Sequence, residues 1–194
     1  MPITEKISML WLALLLTIAP HHAEAYSVAM PTSWSTDAAL EILNAGGNAT
    51  DAMVAGAFAL NVSQPYNMGI GGGGFYLVSQ GKKSDFWDSR EVAPSAANEK
   101  MFYDGAGNVI NYYPERVTGP NPVGVPGTLA GLQEAHKKHG KLPWKKLVAP
   151  AIRIAREGIP VTPKFAATLV EEWERISQFA STASVFGNRD GTPL

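Results

Sequence analysis

The chain reads as an α+β or layered α/β protein on three observations. Two helix-patterned stretches come first, Ser35 to Gly46 and Asn48 to Leu60. Two strand-like runs follow, Phe75–Ser79 and Ser84–Ser89, with Gln80-Gly-Lys-Lys83 as a turn between them. More helical pattern resumes after a long proline- and glycine-rich segment. Adjacent antiparallel strands argue against a parallel doubly wound sheet. The 194 residues, 45% hydrophobic and 17% charged, suffice for one ordinary folded domain. A net charge of −1 supplies no basic excess for nucleic acid.

The first 25 residues read as a leader rather than fold. A short polar start precedes the apolar run Ile7–Ala19, and Ala23-Glu-Ala25 has the form of a cleavage site. The 13-residue core is short beside the ~20 residues a membrane span needs, so stable membrane insertion is not expected. The mature chain, 26–194, is then exported, to a periplasmic or extracellular place. It has no cysteine, so an exported fold must rest on its apolar core.

Each mature element has a local reason. Ser35 can cap the first helix, Leu40 and Leu43 share a face, and Gly46 suits a left-handed stop. Asn48 with Asp51 three residues on forms a capping-box pattern for the second helix. That helix continues as nine apolar residues, Ala52–Leu60, and should be buried on nearly every side. The two strands read as a hairpin with a loop of about four residues, placing Asp88 and Arg90 on one side of the strand's end. Thr128 can cap a helix ending at Gly140. Pro143–Glu157 is another helix, with Leu147, Ala151, Ile154 and Ala155 on one face and Pro150 expected to bend or divide it. Thr162–Phe179 is the last helix, and Phe186–Leu194 is loop-like.

The run Gly69-Ile-Gly-Gly-Gly-Gly-Phe75 contains G-x-G-x-x-G, but a helix precedes it and a strand follows. Dinucleotide binding needs the reverse order, with the pyrophosphate at a helix N-terminus. No Gly-Lys-Ser/Thr follows, so a Walker motif is excluded too, and no cofactor is implied. The remaining use is close backbone packing, where no Cβ would fit. His136 and His139 are three apart, but no third ligand cluster accompanies them; cations at a helix C-terminus explain them better than a metal. Asn48-Ala-Thr50 and Asn61-Val-Ser63 match the glycosylation sequon, yet both border the buried helix. Trp144 and Trp173 read as helix packing.

Five blocks carry a resemblance. They are Asn44-Ala-Gly-Gly-Asn-Ala-Thr-Asp-Ala52, the glycine run, Asp88-Ser-Arg-Glu-Val-Ala-Pro94, Val123-Gly-Val-Pro-Gly-Thr-Leu-Ala-Gly131 and Leu142-Pro-Trp with Ala149–Gly158. In this order they resemble the N-terminal half of the γ-glutamyltranspeptidase (glutathione hydrolase) large subunit. The resemblance implies an αββα N-terminal-nucleophile hydrolase sandwich, incomplete in this chain. It implies a precursor that cuts itself, and a new N-terminal threonine that attacks the γ-glutamyl amide of glutathione. The acyl group then passes to water, an amino acid or a peptide. A threonine hydroxyl is a weak nucleophile, and its own amine can act as its base.

Within that resemblance Arg90 is the substrate-binding residue, holding the α-carboxylate of the glutamyl group. A guanidinium can give a carboxylate two parallel hydrogen bonds, which lysine cannot reproduce. A local ion pair with Asp88 or Glu91 is the plainer use of Arg90, and both can hold at once. No Thr-Thr pair occurs, so no catalytic residue is assigned. The chain is expected to be inactive without a C-terminal half and small subunit. Two alternatives stand beside this reading: a cephalosporin-acylase-like relative, and a non-enzymatic exported remnant. A truncated sandwich should also expose apolar surface that its other half would cover.

Overall fold

The computed structural model describes residues 26–194; the expected leader, 1–25, lies outside the described residues. The elements are α1 (Ser33–Asn44), α2 (Ala49–Ser63), β1 (Gly74–Gln80), β2 (Lys83–Ser89), α3 (Thr128–His139), α4 (Trp144–Glu157), α5 (Pro163–Ser177) and α6 (Ala180–Phe186). A single 3-10 turn, Glu115–Val117, lies in the long segment between β2 and α3. No helix among the described residues is long and apolar enough to cross a membrane.

Helix α2 is the centre of the packing. From Thr50 to Ser63 none of its residues is exposed, as its continuous apolar pattern requires. Val54 and Ala55 meet Ile42 of α1, Tyr76 of β1, Leu132 of α3 and Leu147 of α4 in one cluster. Ala59 meets Ala38 of α1 and Ile154 of α4 in a second. Helices α1, α3 and α4 and the hairpin are thus joined through one apolar rod.

The start of that rod is also a polar anchor. Asn48 and Asp51 form the reciprocal capping box, each side chain accepting from the other's backbone N–H at 3.0 Å. Asp51 is fully buried, and its carboxylate also accepts from the backbone N–H of Lys141 at 3.0 and 3.1 Å and of Leu142 at 3.2 Å. The Asn48 amide donates to the His139 carbonyl at 2.6 Å. One capping box therefore holds both the first turn of α2 and the connection from α3 to α4. His136 Nε2 stands 3.5 Å from Asp51 and hydrogen-bonds the Leu142 carbonyl at 2.8 Å. His139 Nε2 pairs with Asp85 of β2 at 2.7 Å. The two histidines serve different partners, and neither is merely a charge at a helix end.

Several local expectations are corrected. Thr32, not Ser35, caps α1; Ser35 sits at the third helical position and completes the box. The buried face of α1 is Ser35, Ala38, Ala39 and Ile42, with Leu40 and Leu43 only half-buried. The hairpin turn is two residues, Gly81-Lys82, because Gly81 takes φ +61° and lets Gln80 pair with Lys83. Helix α4 runs through Pro150 undivided; Pro150 is buried on the core face, while Ala155 is exposed. Helix α6 was not anticipated, since Ala-Ser-Thr-Ala-Ser-Val-Phe has weak helical preference. Tertiary contacts hold it: Phe186 meets Phe165 edge-on, 5.9 Å between ring centres, and Gly187 lies against Trp173.

The hairpin has two unlike faces. Tyr76, Trp87 and Ser89 turn toward the helices, whereas Phe75, Leu77 and Phe86 are 57%, 65% and 61% exposed. Phe75 and Phe86 stack on each other across the strands at 5.7 Å. An apolar face left open on a helix-backed sheet is what half of an αββα sandwich presents.

The anchor at Asp51 is testable. Asp51→Ala should lower unfolding stability by about 3 kcal/mol, because it strands part-buried N–H groups on two segments at once. Asn48→Ala should cost about 1 kcal/mol more than an exposed control. Urea unfolding midpoints measure both; equal, small effects would show that the box does not bind the two segments together.

Candidate functional site

Three segments converge where β2 ends. The strand delivers Ser89 buried, Arg90 exposed and Glu91 half-buried. The glycine run passes beneath them, and the N-terminus of α3 closes the third side. A Cβ built on Gly73 would lie 2.6 Å from the Ser89 carbonyl oxygen, 2.7 Å from the Glu91 nitrogen and 2.8 Å from Arg90 Cα. One on Gly127 would lie 2.1 Å from that same Ser89 oxygen, and one on Gly131 would lie 2.0 Å from Ser89 Oγ. At Gly73 and Gly127 backbone meets backbone, so no side-chain adjustment could relieve the contact; at Gly131 the neighbours are the Ser89 and Tyr76 side chains. The close-packing reading of the glycine run thus holds at Gly73. It does not extend to Gly71, where a Cβ would meet nothing within 4 Å.

The glycine run is tied down by hydrogen bonds. Gly72 N–H donates to the Gly69 carbonyl at 3.0 Å, closing a tight turn. The Gly72 carbonyl accepts from both Gly127 N–H and Thr128 N–H at 3.0 Å. Thr128 does not cap α3, as expected from its position; Gly127 is the cap residue. The Thr128 hydroxyl instead donates to the Gly69 carbonyl at 3.3 Å. Tyr76 donates to the Thr128 carbonyl at 3.4 Å, and burial pushes the Tyr76 phenol above its usual pKa.

Arg90 stands on this seat. Its backbone N–H donates to Asp88 Oδ1 at 3.1 Å, and its Nε donates to Glu91 Oε2 at 3.2 Å. The ion pair considered from sequence therefore forms with Glu91. Its partner Asp88 serves the backbone instead. The Glu91 bond uses only the Nε edge of the guanidinium. The two terminal nitrogens have no hydrogen-bond partner among the described residues, and the side chain is 64% exposed. Beyond Arg90 lies an open cleft of about 600 Å³, walled by Val92, Pro94, Met101, Phe102 and Val123. A planar cation held through Nε and open at both terminal nitrogens can bind a carboxylate end-on, one hydrogen bond from each.

Glu91 is held as a carboxylate. Its own backbone N–H is the largest influence and holds it below the usual glutamate range; desolvation opposes this, and the Arg90 charge and hydrogen bond add to the lowering. On the far side, Gly124 passes so near that a Cβ there would lie 2.8 Å from Glu91 Cβ. The contributions of Gly124, Gly127 and Gly131 were not seen in the sequence. Gly127 and Gly131 lie four apart, on one face of α3, and that spacing was the available signal.

The sequence profile described as Gamma-glutamyltranspeptidase matches residues 35–194. The chain belongs to the γ-glutamyltranspeptidase family. It is 48% identical over 138 residues to the glutathione hydrolase proenzyme of Pseudomonas aeruginosa, a match covering 71% of this chain and 24% of that protein. Its structure superposes on Helicobacter pylori γ-glutamyltranspeptidase with a TM-score of 0.79 at 34% identity, over 88% of this chain and 50% of that one. A cephalosporin acylase from Bacillus halodurans is also similar, with a TM-score of 0.62 at 30% identity, over 80% of this chain and 31% of that one. The chain thus spans about a quarter of the curated relative and half of the first structure. Its fold is the α+β layered part of the αββα N-terminal-nucleophile hydrolase sandwich, incomplete in this chain.

Two outcomes follow from this geometry. Gly73→Ala should destabilise the chain by about 2 kcal/mol through forced backbone displacement, whereas Gly71→Ala should change it by less than about 0.5 kcal/mol. Thermal melts of the two variants decide it, and similar melting temperatures would refute the close-packing reading. The second concerns pH. The folded pKa of Glu91 is depressed, so any stability from its pair is complete above the ordinary glutamate pKa. It is lost as pH falls through the lowered value. A carboxyl-resolved NMR titration should place the Glu91 midpoint below those of exposed glutamates, moving upward in Arg90→Ala. A midpoint at or above theirs contradicts the arrangement.

Proposed function

We propose that this chain supplies the substrate-carboxylate side of a γ-glutamyl-transferring, glutathione-hydrolysing enzyme, with Arg90 as the residue that binds the α-carboxylate. The observation that carries the reading is the guanidinium held by Glu91 along its Nε edge and open at both terminal nitrogens. Glutathione and other γ-glutamyl compounds carry that carboxylate next to an amine, remote from the amide that breaks. Binding it fixes the substrate's direction, so the γ-amide is presented to a nucleophile elsewhere; orientation of this kind is a large part of catalysis.

The nucleophile in this reading is a threonine of a C-terminal part, freed by self-cleavage, with its amine as base. That part would also cover the open face of Phe75, Leu77 and Phe86. The chain alone is then inactive, and the assembled enzyme passes the glutamyl group to water, an amino acid or a peptide. Export to a periplasmic or extracellular place, after loss of residues 1–25, belongs to the same proposal.

The likeness to a cephalosporin acylase favours a second reading, in which the scaffold serves a different acyl group. Arg90 weighs toward the first, because a γ-glutamyl donor has an α-carboxylate for it to hold. The test is hydrolysis of γ-glutamyl-p-nitroanilide by chain 26–194 combined with a C-terminal part from a relative. Activity should appear only in the combination. Arg90→Ala should lower its kcat/KM about 100-fold, chiefly through KM, and Arg90→Lys should recover little. Activity of the chain alone would place a nucleophile within it and overturn the account. Full activity of Arg90→Ala would transfer the carboxylate role to another residue.

A further inference from the structure

We propose that Thr128 is a positioning residue for Arg90, acting through the Gly69–Gly73 turn. The inference rests on the reading of Arg90 as the carboxylate site. Thr128 is 5% exposed, and its hydroxyl is not spent on its own helix. It reaches the Gly69 carbonyl, 59 residues away in sequence, while its N–H holds the Gly72 carbonyl. Thr128 thereby grips both ends of the turn that Gly69 and Gly72 close between them.

The turn is coupled to Arg90 without slack. Gly73 follows it directly and lies so near Arg90 that even a methyl group would stand 2.8 Å from Arg90 Cα. Where two backbones are in contact, a shift of one displaces the other. Glu91 is coupled to the same turn, since the backbone N–H of Gly73, the residue directly after it, helps to hold the Glu91 carboxylate. Loosening the Gly69 end of the turn therefore moves Arg90 and its orienting carboxylate together. A valine at 128 has nearly the same shape but cannot donate, leaving the Gly69 carbonyl with only its bond from Gly72. A serine can donate.

The test uses the full chain, labelled with nitrogen-15, at mildly acid pH and low temperature. Its readouts are the Arg90 Nε–H signal, bonded to Glu91, and the dissociation constant for L-glutamate, which carries the same α-amino acid group. Thr128→Val should broaden or shift the Arg90 Nε–H signal and weaken glutamate binding roughly fivefold. Thr128→Ser should restore both. The Trp173 indole N–H, bonded to the Gly191 carbonyl within the C-terminal segment, should stay where it is in both variants. An unchanged Arg90 signal and affinity in Thr128→Val overturn the proposal, as does an equal disturbance of Trp173. If Thr128→Val does not fold, Tyr76→Phe removes the bond to the Thr128 carbonyl and should move the same Arg90 signal; no movement there also overturns it. A wild-type chain that shows the Arg90 Nε–H signal but ignores L-glutamate contradicts the substrate reading instead, and the Thr128 comparison still decides the positioning claim.

Discussion

Residues 89–91 sit against four positions, Gly73, Gly124, Gly127 and Gly131, that have no room for a Cβ, and the site depends on that constraint. Gly73 lies beneath the strand end, Gly127 and Gly131 on the helix side, and Gly124 beyond Glu91. Glycine is costly in ordered structure because it gives up the most backbone freedom. The cost is offset here by placing three backbones in direct contact, so the root of Arg90 is fixed by backbone packing rather than by flexible side chains. A long arginine side chain gains specificity only if its base does not wander. Once the base is fixed, a single bond from Glu91 is enough to orient the guanidinium plane.

The seat would be useless if its three walls could drift. They are held to one another through α2, whose sides touch α1, the hairpin, α3 and α4. Asp51 adds direction to this apolar attachment. A buried carboxylate is costly unless its oxygens are satisfied, and here backbone N–H groups from two distant segments satisfy them. Asp51 thus converts the burial of a charge into a fixed distance between the start of α2 and the end of α3. The other end of α3 presents Gly127 and Thr128 to the glycine run. The polar anchor and the glycine seat are at opposite ends of one helix, and together they set its position.

Much of this was legible in the sequence where the signal was local. The Asn48–Asp51 box, the buried character of Ala52–Leu60 and the hairpin follow from caps, composition and alternation, and the structure contains all three. That a truncated sandwich exposes apolar surface follows from the resemblance; that Phe75, Leu77 and Phe86 of the hairpin form such a surface required the fold. Thr128 was misread because a threonine before a helical stretch resembles a cap, whereas its hydroxyl serves a partner far away in sequence. Pro150 was expected to bend or divide α4; the helix is not divided there, and the proline is buried on its core side. Helix α6 escaped notice because its local preference is weak and its support is tertiary. Arg90 is proposed from resemblance, and the choice of Glu91 over Asp88 as its partner required the fold.

The most direct measurement is a cycle between residue and substrate group. The kcat/KM of the assembled enzyme would be compared for a γ-glutamyl anilide and its analogue lacking the α-carboxylate, each with Arg90 and with Arg90→Ala. If Arg90 binds that carboxylate, removing either partner costs nearly as much as removing both, so the coupling is large and the losses do not add. Independent, additive losses would show that Arg90 and the carboxylate do not meet, and the account of this site would be wrong.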